Sequence, residues 1–388
     1  MTSESRSGKN GDDLPPCRLL FRSKEGIEVF SVQSNRDRQS YAEPKNERQF
    51  VLKGETSFQE FLPNGSAIFV HRPSIGIVKV DLSNSSDRNE NENNNTPFFD
   101  NTSKVQIMDV SPKGNFLLTW ERNSNENENN LKVFNTKTGK CAISFRKKNI
   151  NRSSWPYLQW THDEKFAFLL STNEIRIYDG KFPDLNESRY IDKVRVPGVV
   201  SMSLSSSAGD AGGSNLFVAF IAKDKNKPSR ASLYEYPLPT TPQSTYPIIC
   251  SKSLFQAEEM TVNWSPRGDV ALISLQSSVD NTGESYYGSS SLYLMSKQKT
   301  NGDAITVPLP QDGPVLDVGW SPNAEKPPCF AVIAGRIPPM ASLHNAQDGK
   351  PTFLFGNRHQ NTVSWAPHGR FLNLAGFGNL VCMLPRTK

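Results

Sequence analysis

A chain of 388 residues with 36% apolar content, a formal net charge of +5 and five cysteines can bury a sizeable core, but it is too polar for a compact α/β enzyme. No apolar run reaches the ~18 residues of a membrane helix. Cys17, Cys141, Cys250, Cys329 and Cys382 include no CxxC pair, which argues for reduced thiols and against a zinc site or a disulfide framework.

Residues 1–16, "MTSESRSGKNGDDLPP", lack an apolar signal core and are expected to be disordered. A strand-like segment follows, "LFRSKEGIEVF" (Leu20 to Phe30), and then a phrase that recurs: a short apolar run, a Pro- or Gly-containing turn and a second apolar run. Its copies are "FLPNGSAIFV", "MDVSPKGNFLLTW", "LQWTHDEKFAFLL", "MSLSSSAGDAGGSNLFVAFIA", "VNWSPRGDVALISL", "VGWSPNAEKPPCFAVIAG" and "VSWAPHGRFLNLAGFG". In Ser265-Pro266-Arg267-Gly268, proline presets φ, the serine hydroxyl can bond back to the turn, and glycine suits the fourth position. The flanking runs are β-branched and aromatic and of strand length, so each copy predicts a β-hairpin. The turns fall at 63, 112, 162, 206, 266, 322 and 367, a spacing of roughly 50 residues.

A second strand pair follows most copies, as in "IVKVDL", "LKVFNTKTGKCAISF", "EIRIYDGKFPD" and "ASLYEYPLP", with Tyr178-Asp179 where a WD40 blade carries its Trp-Asp pair. The expected fold class is all-β, a WD40-like β-propeller of about seven blade repeats over residues 17–380, the recurrent phrase marking each blade's inner hairpin. Helical hairpins are excluded by short apolar runs broken by Gly, Pro and Asn. The Asn/Glu-rich segments 83–103 and 123–130 are expected to be disordered loops, and 381–388 a divergent tail.

Catalytic signals are absent: there is no GxSxG and no HExxH, and Thr138-Gly139-Lys140-Cys141 sits between two strands, so it is a hairpin turn and not a phosphate loop. His71, His162, His344, His359 and His368 have no metal-ligand spacing, and Asp163 and Glu164 occupy a turn. No catalytic residue, metal or cofactor is expected. Two basic clusters are candidate RNA- or ribosome-binding loops: Arg146, Lys147, Lys148 and Arg152 after an outer strand, and Lys223, Lys225, Lys227 and Arg230 between two strands. Such cations add affinity for phosphates without reading sequence, although solvated basic loops are also common. Tyr286 and Tyr287 can stack on bases or pack on a blade, the second being the commoner use.

Five segments carry a resemblance: Lys252 to Ala257 ("KSLFQA"), "VNWSPRGDVALI", Asp280 to Gly288 ("DNTGESYYG"), Gly313-Pro314-Val315 with Asp317, Val318 and Trp320, and Ala375 to Leu380 ("AGFGNL"). In this order and spacing the sequence resembles the eukaryotic translation initiation factor 2A family, with further matches at Leu118 to Glu121 ("LTWE") and Leu20 to Phe30. The resemblance covers roughly residues 17 to 380. It implies a nine-bladed WD40-like propeller in the cytoplasm, without a catalytic centre or a membrane span. It also implies binding to the small ribosomal subunit and support for delivery of initiator methionyl-tRNA, with mRNA and other initiation factors as further partners. Family members continue past the position of Leu380 with two more blades and a charged helical tail, where this sequence reads "VCMLPRTK", so a shortened product is expected. The alternatives are the propeller scaffold subunit of initiation factor 3, a general WD40 interaction scaffold, and a propeller attached to a hydrolase. The first should carry an RNA-recognition domain before residue 60, and the last a catalytic domain for which the chain has no room.

Overall fold

The computed structural model describes residues 17–32, 46–82, 96–122, 128–183, 189–205, 216–223, 227–236, 246–254, 257–276, 290–297, 302–323, 328–366, 369–376 and 379–383. They form eight antiparallel sheets in two compact units, residues 1–146 and 147–388. In every sheet the strands lie in sequence order, each pairing with the one before it.

The first unit holds three sheets. The first comprises Cys17–Ser23, Gly26–Val32 and Asn46–Lys53, and the second Phe58–Phe61, Ala67–Arg72 and Gly76–Asp81. The third has four strands, Val105–Val110, Phe116–Glu121, Leu131–Asn135 and Cys141–Phe145.

The second unit holds five. The fourth sheet runs from Leu158–Trp160 through Phe166–Ser171 and Glu174–Asp179 to Asp192–Arg195. The fifth runs from Val199–Leu204 through Leu216–Ile221 and Ser229–Glu235 to Ile248–Leu254. The sixth comprises Glu259–Trp264, Val270–Gln276, Ser290–Ser296 and Ile305–Val307, and the seventh Val315–Trp320, Cys329–Ala334, Met340–Asn345 and Pro351–Asn357. The eighth shows Thr362–Trp365, Leu372–Gly376 and Asn379–Met383.

The seven recurrent phrases are the first two strands of the second to eighth sheets. Their second strands are continuous apolar runs because both faces are covered: every residue of Phe116–Glu121 is buried, and all but the last of Val270–Gln276. Consecutive sheets stack within each unit. In the first, Ile27 and Val29 pack with Ile68 and Val70, and Phe69 and Ile77 with Leu117 and Phe134. In the second, Leu233 packs with Ile273, Leu272 with Phe330 and Val332, and Ile333 with Leu372 and Leu374. Each such side chain, fully buried, contributes ~1.5–3 kcal/mol.

The turn chemistry follows the sequence. The Gly114, Gly268 and Gly369 N–H groups each donate 2.8 Å to the carbonyl three residues back, at φ of +76°, +66° and +64°. The Ser111 and Ser265 hydroxyls accept from the Phe116 and Val270 N–H groups, at 3.0 and 3.2 Å, as the second strand begins. In the fourth sheet Glu164 takes the glycine position at φ +56°. Thr138 to Lys140 lie in a hairpin turn, as expected, and Tyr178-Asp179 end a third strand. The turn at 206 lies outside the described residues, as do Pro367 and His368.

Two loop expectations need correction. Residues 83–95 lie outside the described residues, but 96–103 are ordered against the second sheet. Phe99 is fully buried, 5.3 Å from the Phe69 ring and 5.1 Å from Phe134, and the Thr102 hydroxyl accepts from the Ile77 N–H. Likewise 123–127 are outside, whereas the buried Asn130 donates through Nδ2 to the Glu121 carbonyl and Asn129 to that of Ser144. Polar composition hid both anchors, since in each case one or two side chains tie down the end of a low-complexity run. Residues 1–16 and 384–388 lie outside the described residues.

Candidate nucleic-acid interface

The scaffold for the basic loops is a set of seams between first strands. The last residue of the first strand is Trp160, Leu204, Trp264, Trp320 and Trp365 in the fourth to eighth sheets, and a small or polar residue precedes it each time: Gln159, Ser203, Asn263, Gly319, Ser364. Three indoles reach back one sheet to that preceding position. Trp264 Nε1 donates to Ser203 Oγ (3.0 Å), Trp320 Nε1 to the Asn263 carbonyl (2.9 Å) and Trp365 Nε1 to the Gly319 carbonyl (3.0 Å). Where the fifth sheet offers Leu204 instead, Gln159 reaches forward: its Nε2 donates to the Met202 carbonyl (3.0 Å) and its Oε1 accepts from the Leu204 N–H (2.8 Å). Trp160 bonds within its own sheet, to the Gly180 carbonyl.

In the second and third sheets the same register position carries carboxylates, Glu60 and Asp109. Removal of water raises the Asp109 carboxyl and the Glu60 charge raises it further, to about 7.

The side chains of the first basic cluster do not all face solvent. Arg146 closes the first unit and is exposed, while Lys147, Lys148 and Arg152 open the second. Lys147 turns inward: its Nζ donates to the Leu170 carbonyl (2.9 Å) and lies 4.3 Å from the Tyr157 ring centroid. Burial pulls its ammonium down to about 8. Lys147 thus tethers the loop, and its ammonium is not presented to a phosphate. The Tyr157 hydroxyl accepts from the Asn151 N–H (3.0 Å), and Asn151 Oδ1 caps a single 3-10 turn, Arg152–Ser154, at the Ser153 N–H (3.2 Å). With its backbone fixed in this way, the loop holds Lys148 and Arg152 exposed, and the Arg152 turn lies beside the first strands of the fifth and sixth sheets.

In the second cluster Lys223 and Lys227 are exposed where the second strand of the fifth sheet passes to the third. Arg230 lies within that third strand, opposite Ile221, with Nη2 3.3 Å from Ser251 Oγ. Lys225, Tyr286 and Tyr287 lie outside the described residues.

Two histidines are structural. His71 is buried and stacked on Phe58. His344 is fully buried, with Nε2 2.7 Å from Ser342 Oγ and Nδ1 3.0 Å from the Gly349 carbonyl, and burial holds it below the ordinary imidazole range. Among the described residues Cys141, Cys250 and Cys329 form no disulfide. Among the described residues no three His, Cys, Asp or Glu side chains are grouped to hold a metal, and no helix is long and apolar enough to cross a membrane.

Stacked antiparallel meanders joined at their first strands define a WD40-like β-propeller protein. Solved structures agree on the fold. A crystal structure described as a eukaryotic initiation factor superposes with a TM-score of 0.69 at 22% identity, over 95% of this chain and 82% of that one. The C-terminal WD40 domain of Sif2 gives 0.51 at 11% identity, over 95% and 93%.

The family model described as eukaryotic translation initiation factor eIF2A matches residues 252–384. The Schizosaccharomyces pombe protein of that name is 31% identical over 94% of this chain and 57% of its own length, and the Dictyostelium discoideum one 32% identical over 72% and 43%. The chain belongs to the eukaryotic translation initiation factor 2A family. It spans about half the length of these curated relatives. A subunit of eukaryotic translation initiation factor 3 from Xenopus laevis is also similar, 24% identical over 71% of this chain and 38% of its own length.

Proposed function

We propose that the chain acts in translation initiation as a non-enzymatic, cytoplasmic binding scaffold, engaging the small ribosomal subunit and supporting delivery of initiator methionyl-tRNA. The observation that carries this reading is the similarity to proteins named translation initiation factor 2A, which in one case extends over 94% of the chain. The mechanism is presentation: rigid stacked sheets hold loops that make many weak ionic contacts with phosphates. Arg146, Lys148, Arg152, Lys223, Lys227 and Arg230 are exposed and supply them, Lys225 is proposed alongside on sequence, and Lys147 holds its loop in place.

Co-sedimentation with purified small ribosomal subunits across a salt series tests the reading. Retention at low salt and steep release as salt rises is the expected result. No retention at any salt would overturn it. The likeness to a subunit of initiation factor 3 supports a second reading, a component of a multi-protein complex. Recovery of this chain from cell extract in a stable multi-protein assembly lacking ribosomal RNA would favour that alternative.

A further inference from the structure

An antiparallel meander sorts its loops by end. The starts of first and third strands and the ends of second and fourth strands lie at one end of a sheet, and the remaining turns at the other. In the second unit these two ends differ in charge.

At the end where the first strands begin, the fourth sheet carries Lys148 and Arg152 before its first strand and Arg195 at the end of its fourth. The fifth carries Lys227 before its third strand, and the seventh Arg336 after its second strand and Arg358 after its fourth. All six are exposed. Among the described residues the acids at this end, Glu258, Glu259 and Asp312, are fewer, and Glu174 is already paired with Arg176 (2.8 Å) and Lys193 (3.4 Å).

At the opposite end cations and acids alternate and neutralise each other: Lys165 with Asp163 (3.1 Å), Arg267 with Asp269 (3.1 Å) and Lys297 with Glu235. Asp179, Asp303 and Asp348 offset the further exposed cations there, Lys181, Arg189, Lys350 and Arg370.

We infer that the end of the second unit where its first strands begin is the surface that takes the sugar-phosphate backbone of a folded RNA, and that the opposite end does not. The inference rests on the translational reading above and adds the choice of face. A modest net charge of +5, spread evenly, would create little directional potential. Sorted to one end, it produces a field that attracts a polyanion in one orientation. Arg195, Arg336 and Arg358 join the two sequence clusters only through this topology. Exposed Val200, Leu316 and Ile337, the last 84% exposed, stand at the same end and offer apolar contacts to ribose and base faces.

The test compares two triple charge reversals in the full chain. One is Arg152→Glu, Lys227→Glu and Arg336→Glu. The other is Lys181→Glu, Lys350→Glu and Arg370→Glu, at the opposite end and equal in net charge. Binding of a fluorescein-labelled initiator tRNA transcript is read by anisotropy across a salt series, with glutamine versions of both triples guarding against misfolding. The expected result is at least a tenfold loss for the first triple, with a salt slope smaller by about two to three, and less than a threefold loss for the second. Equal losses, or a larger loss for the second triple, would overturn the choice of face while leaving the translational reading intact if small-subunit co-sedimentation persists. Failure of the unmodified chain in both assays would instead sink the reading on which the inference rests.

Discussion

At the seams leading into the sixth, seventh and eighth sheets an indole N–H crosses backward to the neighbouring first strand, whereas between the fourth and fifth sheets the amide of Gln159 crosses forward. Both devices meet one need. First strands of adjacent sheets stand side by side without pairing to each other, so a side chain must supply the donor that the backbone cannot. An indole has one donor and a large apolar body, and it fills the gap while bonding once. A glutamine has both donor and acceptor, so it bonds twice with little packing. The indole seams should therefore be sensitive to shape, and the glutamine seam to polarity.

Gly319→Val tests shape most severely. A Cβ at Gly319 would stand 2.7 Å from Val363 Cγ1 and 3.3 Å from Trp365 Cδ1, so the Val363 side chain must shift and the Trp365 indole must give way beside it. The expected cost is ~3 kcal/mol, read as a fall in the urea midpoint at unchanged m-value.

Gln159→Leu tests polarity. It keeps the volume but leaves the Met202 carbonyl and Leu204 N–H without their partner, costing ~2 kcal/mol, and Gln159→Glu should recover only the acceptor half.

The acidic version of the same register position, Glu60 with Asp109, predicts a pH signature. The Asp109 carboxyl is raised in the folded chain, so the stability it contributes is present at pH 4, where it is protonated, and is lost as pH rises through about 7. Asp109→Asn should match the parent chain at pH 4 and exceed it by ~1–2 kcal/mol at pH 8, in paired denaturant titrations.

Trp365→Phe keeps an aromatic ring at this half-buried position but removes the N–H to Gly319 together with part of the indole's volume, for a loss of ~1 kcal/mol. Should it cost more than Gln159→Leu, the distinction between shape and polarity fails.

Much of this architecture was legible in the sequence. The recurrent phrase located the first hairpin of the second to eighth sheets, and the Ser-Pro-x-Gly chemistry gave the observed left-handed glycines. The position before each seam residue was overlooked, although its signal was present, since it is polar or small in every copy between two apolar strands. Composition could not distinguish Lys147 from Lys148, because which lysine turns inward depends on Leu170 and Tyr157, brought close only by the fold. The sorting of cations to one end escaped for the same reason: Arg195, Arg336 and Arg358 are isolated in sequence and become neighbours in kind only when strands alternate direction.

Trp264, Trp320 and Trp365 stand half-buried at the seams, and Trp155 half-buried at the end of the Arg152 turn, whereas Trp120 and Trp160 are only 6% and 4% exposed. The fluorescence of this chain therefore has two compartments. With Trp155 replaced by Phe to silence the one half-buried indole away from the seams among the described residues, loosening between neighbouring sheets would shift the emission of the seam indoles to longer wavelength while each sheet kept its own hydrogen bonds and its circular dichroism. Intrinsic light from the protein thus serves as a gauge of how firmly its sheets hold one another, separable from whether they are folded.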